Sequence, residues 1–166
     1  TYYGGCSSST TSATTGKNTV TFNTLSDGTY SACVIFVTDS AGNVSNTFTI
    51  SFVIDTTAPT VSSIYPTDNQ SGVSISDNIS VTFSEAMYTT SVTTNTDNTT
   101  CYGSLQMSSD NFSSCVQMSS SPSSSNSDKT FTVDPSDNLS YSTTYKIRVT
   151  TGVKDSAGNT LSSQYE

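Results

Sequence analysis

Four cysteines carry the most distinctive chemistry in this chain. They are Cys6, Cys33, Cys101 and Cys115, and no interval between them is the Cys-x-x-Cys spacing of common zinc sites. The chain has no histidine, so the common Cys-His zinc sites are excluded as well. Four cysteines allow three disulfide pairings, and disulfides persist at the cell surface, in the periplasm or in the medium. The cysteines therefore predict disulfides and an extracellular location.

The absence of histidine also removes the commonest catalytic arrangements. Without an imidazole there is neither a Ser-His-Asp triad nor a Cys-His pair. The chain has only two glutamates, Glu85 and Glu166, and no pattern pairs Glu85 with the second carboxylate that a glycosidase needs. We therefore predict that the chain is not an enzyme and has no catalytic residues.

Charge and hydropathy exclude two further classes of partner. The formal net charge is −8, and only five residues are basic. Such a surface repels nucleic acid and anionic lipid. No run of eighteen apolar residues exists, so this segment is not expected to insert into a membrane.

Aspartate is the other chemical resource, supplying eleven of the thirteen acidic residues. Nearly all of these aspartates fall in turns or at strand ends, where a carboxylate can cap its own backbone. Oxygen-rich turns can instead bind Ca²⁺, which takes six to eight oxygen ligands. The candidate ligands, near the junction of two units, are Asp39, Asn43, Asp55, Asp155 and Asn159. The chain has no Asp-x-Asp-x-Asp-Gly loop of the kind that binds calcium. Two interpretations of these residues therefore remain, namely structural turns and a calcium site. Calcium is the one candidate cofactor.

Short β-strands must position these turns. The chain has 35 serines and 31 threonines, which alternate with the few apolar residues, and alternation is typical of half-buried strands. Residues 47–54 form the clearest strand, with Phe48, Ile50, Phe52 and Ile54 on one face. No segment has helical spacing over ten residues. The fold class is therefore predicted to be all-β, as antiparallel β-sandwiches. Shorter strands are predicted around Val20 and Phe22, Cys33 to Val37, Ile79 to Phe83, Phe131 and Val133, and Tyr145 to Val149.

A repeated turn indicates two units. The sequence Asp39–Asn43 recurs as Asp155–Asn159, each time after an alternating strand. Pro59 cannot donate to a β-ladder, and we place the boundary just before it, which gives units 1–57 and 58–166. This division selects the disulfides Cys6–Cys33 and Cys101–Cys115.

A series of motifs runs in order through the chain. They are Gly28–Tyr30, Asp39–Asn43, Ile54–Pro59, Tyr65–Asp68, Gly72–Val73, Ile79–Met87, Phe131–Pro135, Leu139–Tyr145 and Gly152–Asn159. With these motifs, residues 58–166 resemble the bacterial Ig-like domain of the S-layer and surface-protein type. Residues 1–57 resemble the C-terminal half of another Ig-like repeat.

The resemblance implies tandem Ig-like sandwiches, the first of them incomplete, because an Ig-like sandwich takes roughly 100 residues. Either the chain is cut from a longer array at both ends, or a strand donated from elsewhere completes the first unit. The implied function is a structural or adhesive segment of a secreted or cell-surface bacterial protein, as a stalk, spacer or filament unit. The implied partners are neighbouring Ig-like repeats of the same or an identical chain.

The segment 89–127 departs most from a plain sandwich. It is hydroxyl-rich, contains Cys101 and Cys115, and is predicted to be a disulfide-stapled hairpin followed by a flexible loop. The hairpin would place Leu105 and Met107 against Val116 and Met118. An insertion on a rigid scaffold is also a reasonable binding site. The alternative function is therefore recognition of a glycan or a protein through this insertion, with Tyr88, Tyr102 and Tyr141 as candidate contacts.

Overall fold

The computed structural model describes Cys6, Ser8 and residues 11–166, and it divides into two compact units, Thr1–Thr57 and Ala58–Glu166. Within the described residues the fold is all-β, as predicted, with eight strands and a single 3₁₀ turn at Thr89–Ser91. The threonine-rich, β-branched segments that disfavour a helix account for this outcome.

The first unit is built on one antiparallel pair of strands, β1 (Gly28–Ile35) and β2 (Phe48–Ile54). Gly28 pairs with Ile54 and Ile35 with Phe48, and a β-bulge interrupts β1 between Tyr30 and Cys33. The strand predicted around Val20 and Phe22 is not formed. In the described residues it is reduced to one bridge between Ser8 and Phe22.

Apolar side chains share one face of this pair. The Phe52 ring lies 5.4 Å from the Phe22 ring and 5.3 Å from the Tyr30 ring, measured between centroids. Phe48, on the same face by alternation, remains 67% exposed. Within the described part of the first unit, only the two cysteines, Cys6 and Cys33, are buried hydrophobic residues. The other apolar residues of this face, Ile50, Phe52 and Ile54, are half-buried, and the incompleteness of this unit stays a prediction.

The second unit is a β-sandwich of two sheets. The first sheet has the order β3-β4-β7-β6, and the second pairs β5 with β8. All of these pairings are antiparallel. The strands are β3 (Val61–Tyr65), β4 (Ile79–Phe83), β5 (Leu105–Ser108), β6 (Ser123–Ser125), β7 (Thr130–Val133) and β8 (Lys146–Val149).

The core of the second unit lies between these sheets. Alternation along β4 buries Ile79, Val81 and Phe83, and the Phe83 ring meets the Phe131 ring edge-on at 6.0 Å. Met107 and Val149 cover them from the facing sheet. The predicted faces of β4, β7 and β8 are therefore confirmed.

In the segment 89–127 the structure confirms the disulfide staple and corrects the hairpin pairing and the flexible loop. Met118 lies in the same core cluster as Leu105 and Met107, as predicted, and Val116 packs against it. Leu105 and Met107 lie in β5, whose ladder partner is β8, and both side chains are core residues. The predicted neighbour Val116 contributes one hydrogen bond, from its N–H to the Met107 carbonyl at 2.8 Å. Ser123–Ser125, predicted to be loop, form the edge strand β6. The segment supplies part of the sandwich because its few apolar residues are needed to close the core.

Candidate functional site

The two repeated turns have nearly the same hydrogen bonds. In the first unit, Asp39 Oδ1 accepts the N–H of Ala41 at 2.9 Å and of Asn43 at 2.8 Å. The Asn43 amide donates to Asp39 Oδ2 at 2.8 Å. Hydrogen bonds from the Asn43 side chain and then its backbone lower the pKa of the Asp39 carboxyl. The exposed turn is thus held by its own aspartate.

Asp155 makes the same cap in the second unit, but it is only 1% exposed. Its Oδ1 accepts the N–H groups of Ala157 at 2.8 Å, Gly158 at 2.6 Å and Asn159 at 2.9 Å. Its Oδ2 accepts the Asn159 amide at 2.8 Å. Gly158 has φ +100°, a left-handed conformation that suits glycine. Each turn motif therefore fixes the loop after a core strand.

The calcium candidates are placed on these turns and at the end of β2. Asp55 follows β2, where its Oδ1 accepts the Thr57 N–H at 3.0 Å. Within the second unit, carboxylate oxygens of Asp155 and Glu85 lie within 4.8 Å of each other. No sequence pattern pairs Glu85 with a second carboxylate, because Glu85 and Asp155 are seventy positions apart. The capping bonds explain Asp39 and Asp155 without a metal, and calcium stays a prediction.

Both predicted disulfides are present. Cys6 pairs with Cys33 with the Cα atoms 5.6 Å apart, and Cys101 pairs with Cys115 at 4.9 Å. These Cα separations are ordinary for disulfides. The second disulfide closes a loop, residues 101–115, that contains strand β5. This disulfide therefore ties a core strand to the segment that follows it.

Polar groups line the inside of the stapled loop. Ser104, Gln106 and Ser108 are buried, and the Ser104 hydroxyl donates to the Ser91 carbonyl at 2.8 Å. Gly103 is needed here because a Cβ would lie 2.7 Å from Thr94 Cα. The start of the stapled loop is therefore hydrogen-bonded to residues 91–93, while Leu105 and Met107 of the same loop pack in the core.

Asp110 caps the turn within this loop. Its Oδ2 accepts the Ser114 hydroxyl at 2.6 Å, and its Oδ1 accepts the Ser114 N–H at 2.9 Å and the Ser108 hydroxyl at 2.8 Å. The Ser114 hydrogen bonds are the main cause that lowers the pKa of Asp110 to about 2. The carboxylate form of Asp110 therefore stabilises this turn.

The three candidate binding tyrosines lie on separate segments. Tyr88, Tyr102 and Tyr141 are all exposed, and none takes part in a ring-to-ring contact among the described residues. The Tyr102 hydroxyl donates to Asp97 and accepts the Thr96 N–H at 3.1 Å. The structure does not assemble them into a stacking platform, and recognition of a glycan or protein through them stays a prediction.

A cleft of about 860 Å³ opens between the sheets of the second unit, beside the start of β8. Its charged side chains are Asp68, Lys146 and Glu166. Glu166 forms ion pairs with Lys146 at 3.8 Å and Arg148 at 3.4 Å. This cleft was not predicted from the sequence, because its lining comes from loops 66–75 and 139–145 and from β8, which are far apart along the chain.

Two models of known protein families match this chain. A family model described as a bacterial Ig-like domain matches residues 55–166, and a second model with the same description matches residues 3–56. The chain belongs to the bacterial Ig-like domains. The predicted family and the Ig-like fold class are thereby confirmed. No curated protein matches the chain.

Two solved structures are similar in part. One is the N-terminal part of the bacterial S-layer protein SbsC, at 21% identity and a TM-score of 0.47, covering 64% of this chain and 22% of that one. The other comprises domains 1–6 of surface layer protein SbsC, with the same identity and TM-score, covering 67% of this chain and 14% of that one. The chain thus spans less than a quarter of either structure.

No helix in the described part of the chain has both the length and the hydrophobicity needed to span a membrane.

Proposed function

We propose that this Ig-like chain is a non-enzymatic structural segment of a bacterial cell-surface or secreted protein, in which it acts as a stalk, spacer or filament unit. The observation that supports this is the succession of two Ig-like units, each with its own disulfide. Disulfides persist in oxidising compartments, which favours an extracellular location. The partners we propose are neighbouring repeats of the same or an identical chain.

The arrangement of polar groups supports a structural role. The oxygens of Asp39, Asp110 and Asp155 accept hydrogen bonds from their own turns. The oxygens of Asp27 accept them from Thr56 and Thr57. In the cleft of the second unit, Glu166 is held by two basic side chains. Carboxylates that accept hydrogen bonds from their own turns hold the backbone in place, which is a structural use.

The proposal is tested on the native protein in the bacterium that produces it. A membrane-impermeant amine reagent should label the chain on intact cells, while a cytosolic control protein is labelled only after lysis. The intact mass should not change on thiol alkylation, because all four cysteines are paired. Labelling that requires lysis, or four alkylated thiols, would contradict the proposal.

A further inference from the structure

A five-residue motif recurs in the second unit, in the order hydroxyl residue, aspartate, asparagine, any residue, hydroxyl residue. Every Asp-Asn pair of the chain stands in this setting, and the first unit has none. Serine and threonine make up about two fifths of the chain, so chance would place a hydroxyl residue after all five pairs in only about one such chain in a hundred. Composition alone therefore does not explain the motif. Its copies span residues 67–71, 76–80, 96–100, 109–113 and 136–140.

The fold does not require the motif in this form either. Asn69 and Asn111 have left-handed backbone conformations, with φ at 57° and 59°, whereas Asn138 does not. The aspartates differ as well, because Asp110 caps its own turn while the Asp137 carboxylate accepts no hydrogen bond from the described residues. The copies thus share their side chains and not a conformation, which favours a chemical role that depends on the sequence itself.

Four of the five copies are open to solvent. Their asparagines are exposed, and so is the hydroxyl residue two positions later in each copy. The middle residue of these copies is never proline. The fifth copy is set apart because its second hydroxyl residue, Ser80, is half-buried within β4. We call the other four the open motifs, and their asparagine and hydroxyl pairs are Asn69 with Ser71, Asn98 with Thr100, Asn111 with Ser113, and Asn138 with Ser140.

The side-chain nitrogens of these asparagines are accessible for a reaction. In the described part of the chain, the Nδ2 groups of Asn98, Asn111 and Asn138 donate no hydrogen bond. The Nδ2 group of Asn69 donates only to the carboxylate of its neighbour Asp68, at 3.0 Å. The structure therefore uses none of the four nitrogens to hold distant parts of the fold together.

An asparagine followed two residues later by serine or threonine is the acceptor sequence for asparagine-linked glycans on the surface loops of secreted proteins. We propose that the open motifs are glycosylated at asparagine, and that the preceding aspartate is part of what the transferase recognises. The donor is a sugar linked through a diphosphate to a lipid. Nδ2 forms a bond to the anomeric carbon of the sugar, the bond from that carbon to the diphosphate breaks, and a base of the transferase takes one amide proton.

This inference goes beyond the proposed structural role, because it assigns a covalent modification and its acceptor atoms. Bulky hydrophilic glycans would also keep a chain with few charged residues soluble. Surface labelling can succeed while every asparagine is unmodified, so the two proposals are refuted separately.

The test uses the native protein from the bacterium that produces it. Mass spectrometry with electron-transfer fragmentation of its peptides assigns a sugar to a single residue. We expect sugar on the asparagines of the open motifs. Unmodified asparagines at these four positions, or sugar carried by serine or threonine alone, would overturn the proposal.

Matched variants of the copy 136–140, produced in the same bacterium, test which side chains are recognised. The side chains of Asp137, Asn138 and Ser140 form no hydrogen bond among the described residues, so their replacement should leave the fold intact. We expect Ser140→Ala to remove the sugar from Asn138, Ser140→Thr to keep its occupancy within about twofold, and Asp137→Ala to lower it about fivefold or more. The other three open motifs serve as internal controls in each variant. Full occupancy of Asn138 in the Ser140→Ala variant would refute asparagine-linked transfer, and full occupancy in the Asp137→Ala variant would refute the role of the aspartate.

Discussion

The disulfide Cys101–Cys115 gives the most quantitative prediction about the second unit. Replacing both cysteines by alanine opens a loop whose ends are separated by 14 residues. In the chain-entropy model a closed loop of this length stabilises the folded state by about 3 kcal/mol at 25 °C. For a unit of residues 58–166, an unfolding entropy of about 2.1 cal/mol/K per residue converts this into a fall of about 13 °C in Tm. Loss of the buried Cys115 sulfur adds a smaller packing term to this fall.

Differential scanning calorimetry on the oxidised chain measures this change directly. The matched control is the double alanine variant at Cys6 and Cys33, whose disulfide belongs to the first unit. This control should leave the transition of the second unit within about 2 °C of its original midpoint, since its disulfide closes a loop of the first unit only. A fall of less than about 4 °C for the Cys101 and Cys115 variant would refute the reasoning. Such a result would mean either that hydrogen bonds within the loop persist in the unfolded chain and already restrict it, or that the loop contributes little to the free energy of unfolding of the sandwich.

Three further predictions concern the capped turns. Asp155→Ala removes a buried carboxylate that accepts three backbone N–H groups, and it should destabilise the second unit by about 3 kcal/mol. Asp39→Ala in the exposed turn should cost about 1 kcal/mol, and urea unfolding measures both changes. Asp110→Asn should lower Tm at pH 6 but not at pH 1.5. The pKa of Asp110 is lowered from 3.8 to about 2, so its carboxylate stabilises the fold fully above about pH 4 and loses this effect as the pH falls through 2. Equal changes in Tm at both pH values would contradict this. Since the Asp155 carboxylate already accepts hydrogen bonds from the N–H groups of its own turn, we expect EDTA to leave the Tm of the second unit unchanged. A fall of several degrees that calcium restores would instead support the calcium hypothesis.

Regular alternation made much of the fold predictable. Strands β2, β4 and β7 carry an apolar residue at every second position, and the structure has them where the pattern indicates. The disulfide pairs followed from the repeated turn Asp39–Asn43 and Asp155–Asn159, because it divided the four cysteines between two units. Local pattern and repeat were sufficient for these features.

Strand β5 shows where local pattern fails. Its four residues alternate correctly, but Gln106 and Ser108 are buried as well, so both faces are covered and alternation no longer identifies the partner. Strand β5 pairs with β8, about forty residues later in the sequence, and not with residues 116–118. This choice depends on how the whole core packs and not on the local sequence. Strand β3 is similar, since a bulge between Val61 and Ser63 breaks its period of two.

The candidate sites were predictable only as far as chemistry is local. The aspartate caps follow from residue type and turn spacing, and the structure contains them at both positions. The proximity of Glu85 to Asp155 and the cleft beside β8 both depend on which segments the topology brings together. No spacing along the sequence encodes such contacts.

We propose that these units are disulfide-stapled structural modules. The sharpest test is to stretch single molecules of the oxidised chain from their two ends. The account predicts a distinct rupture of the second unit, with a contour-length gain about 5 nm shorter in the oxidised than in the reduced chain, since the disulfide excludes 14 residues at about 0.35 nm each. Extension of the oxidised chain without any resolved rupture, or equal contour gains in both redox states, would contradict the claim.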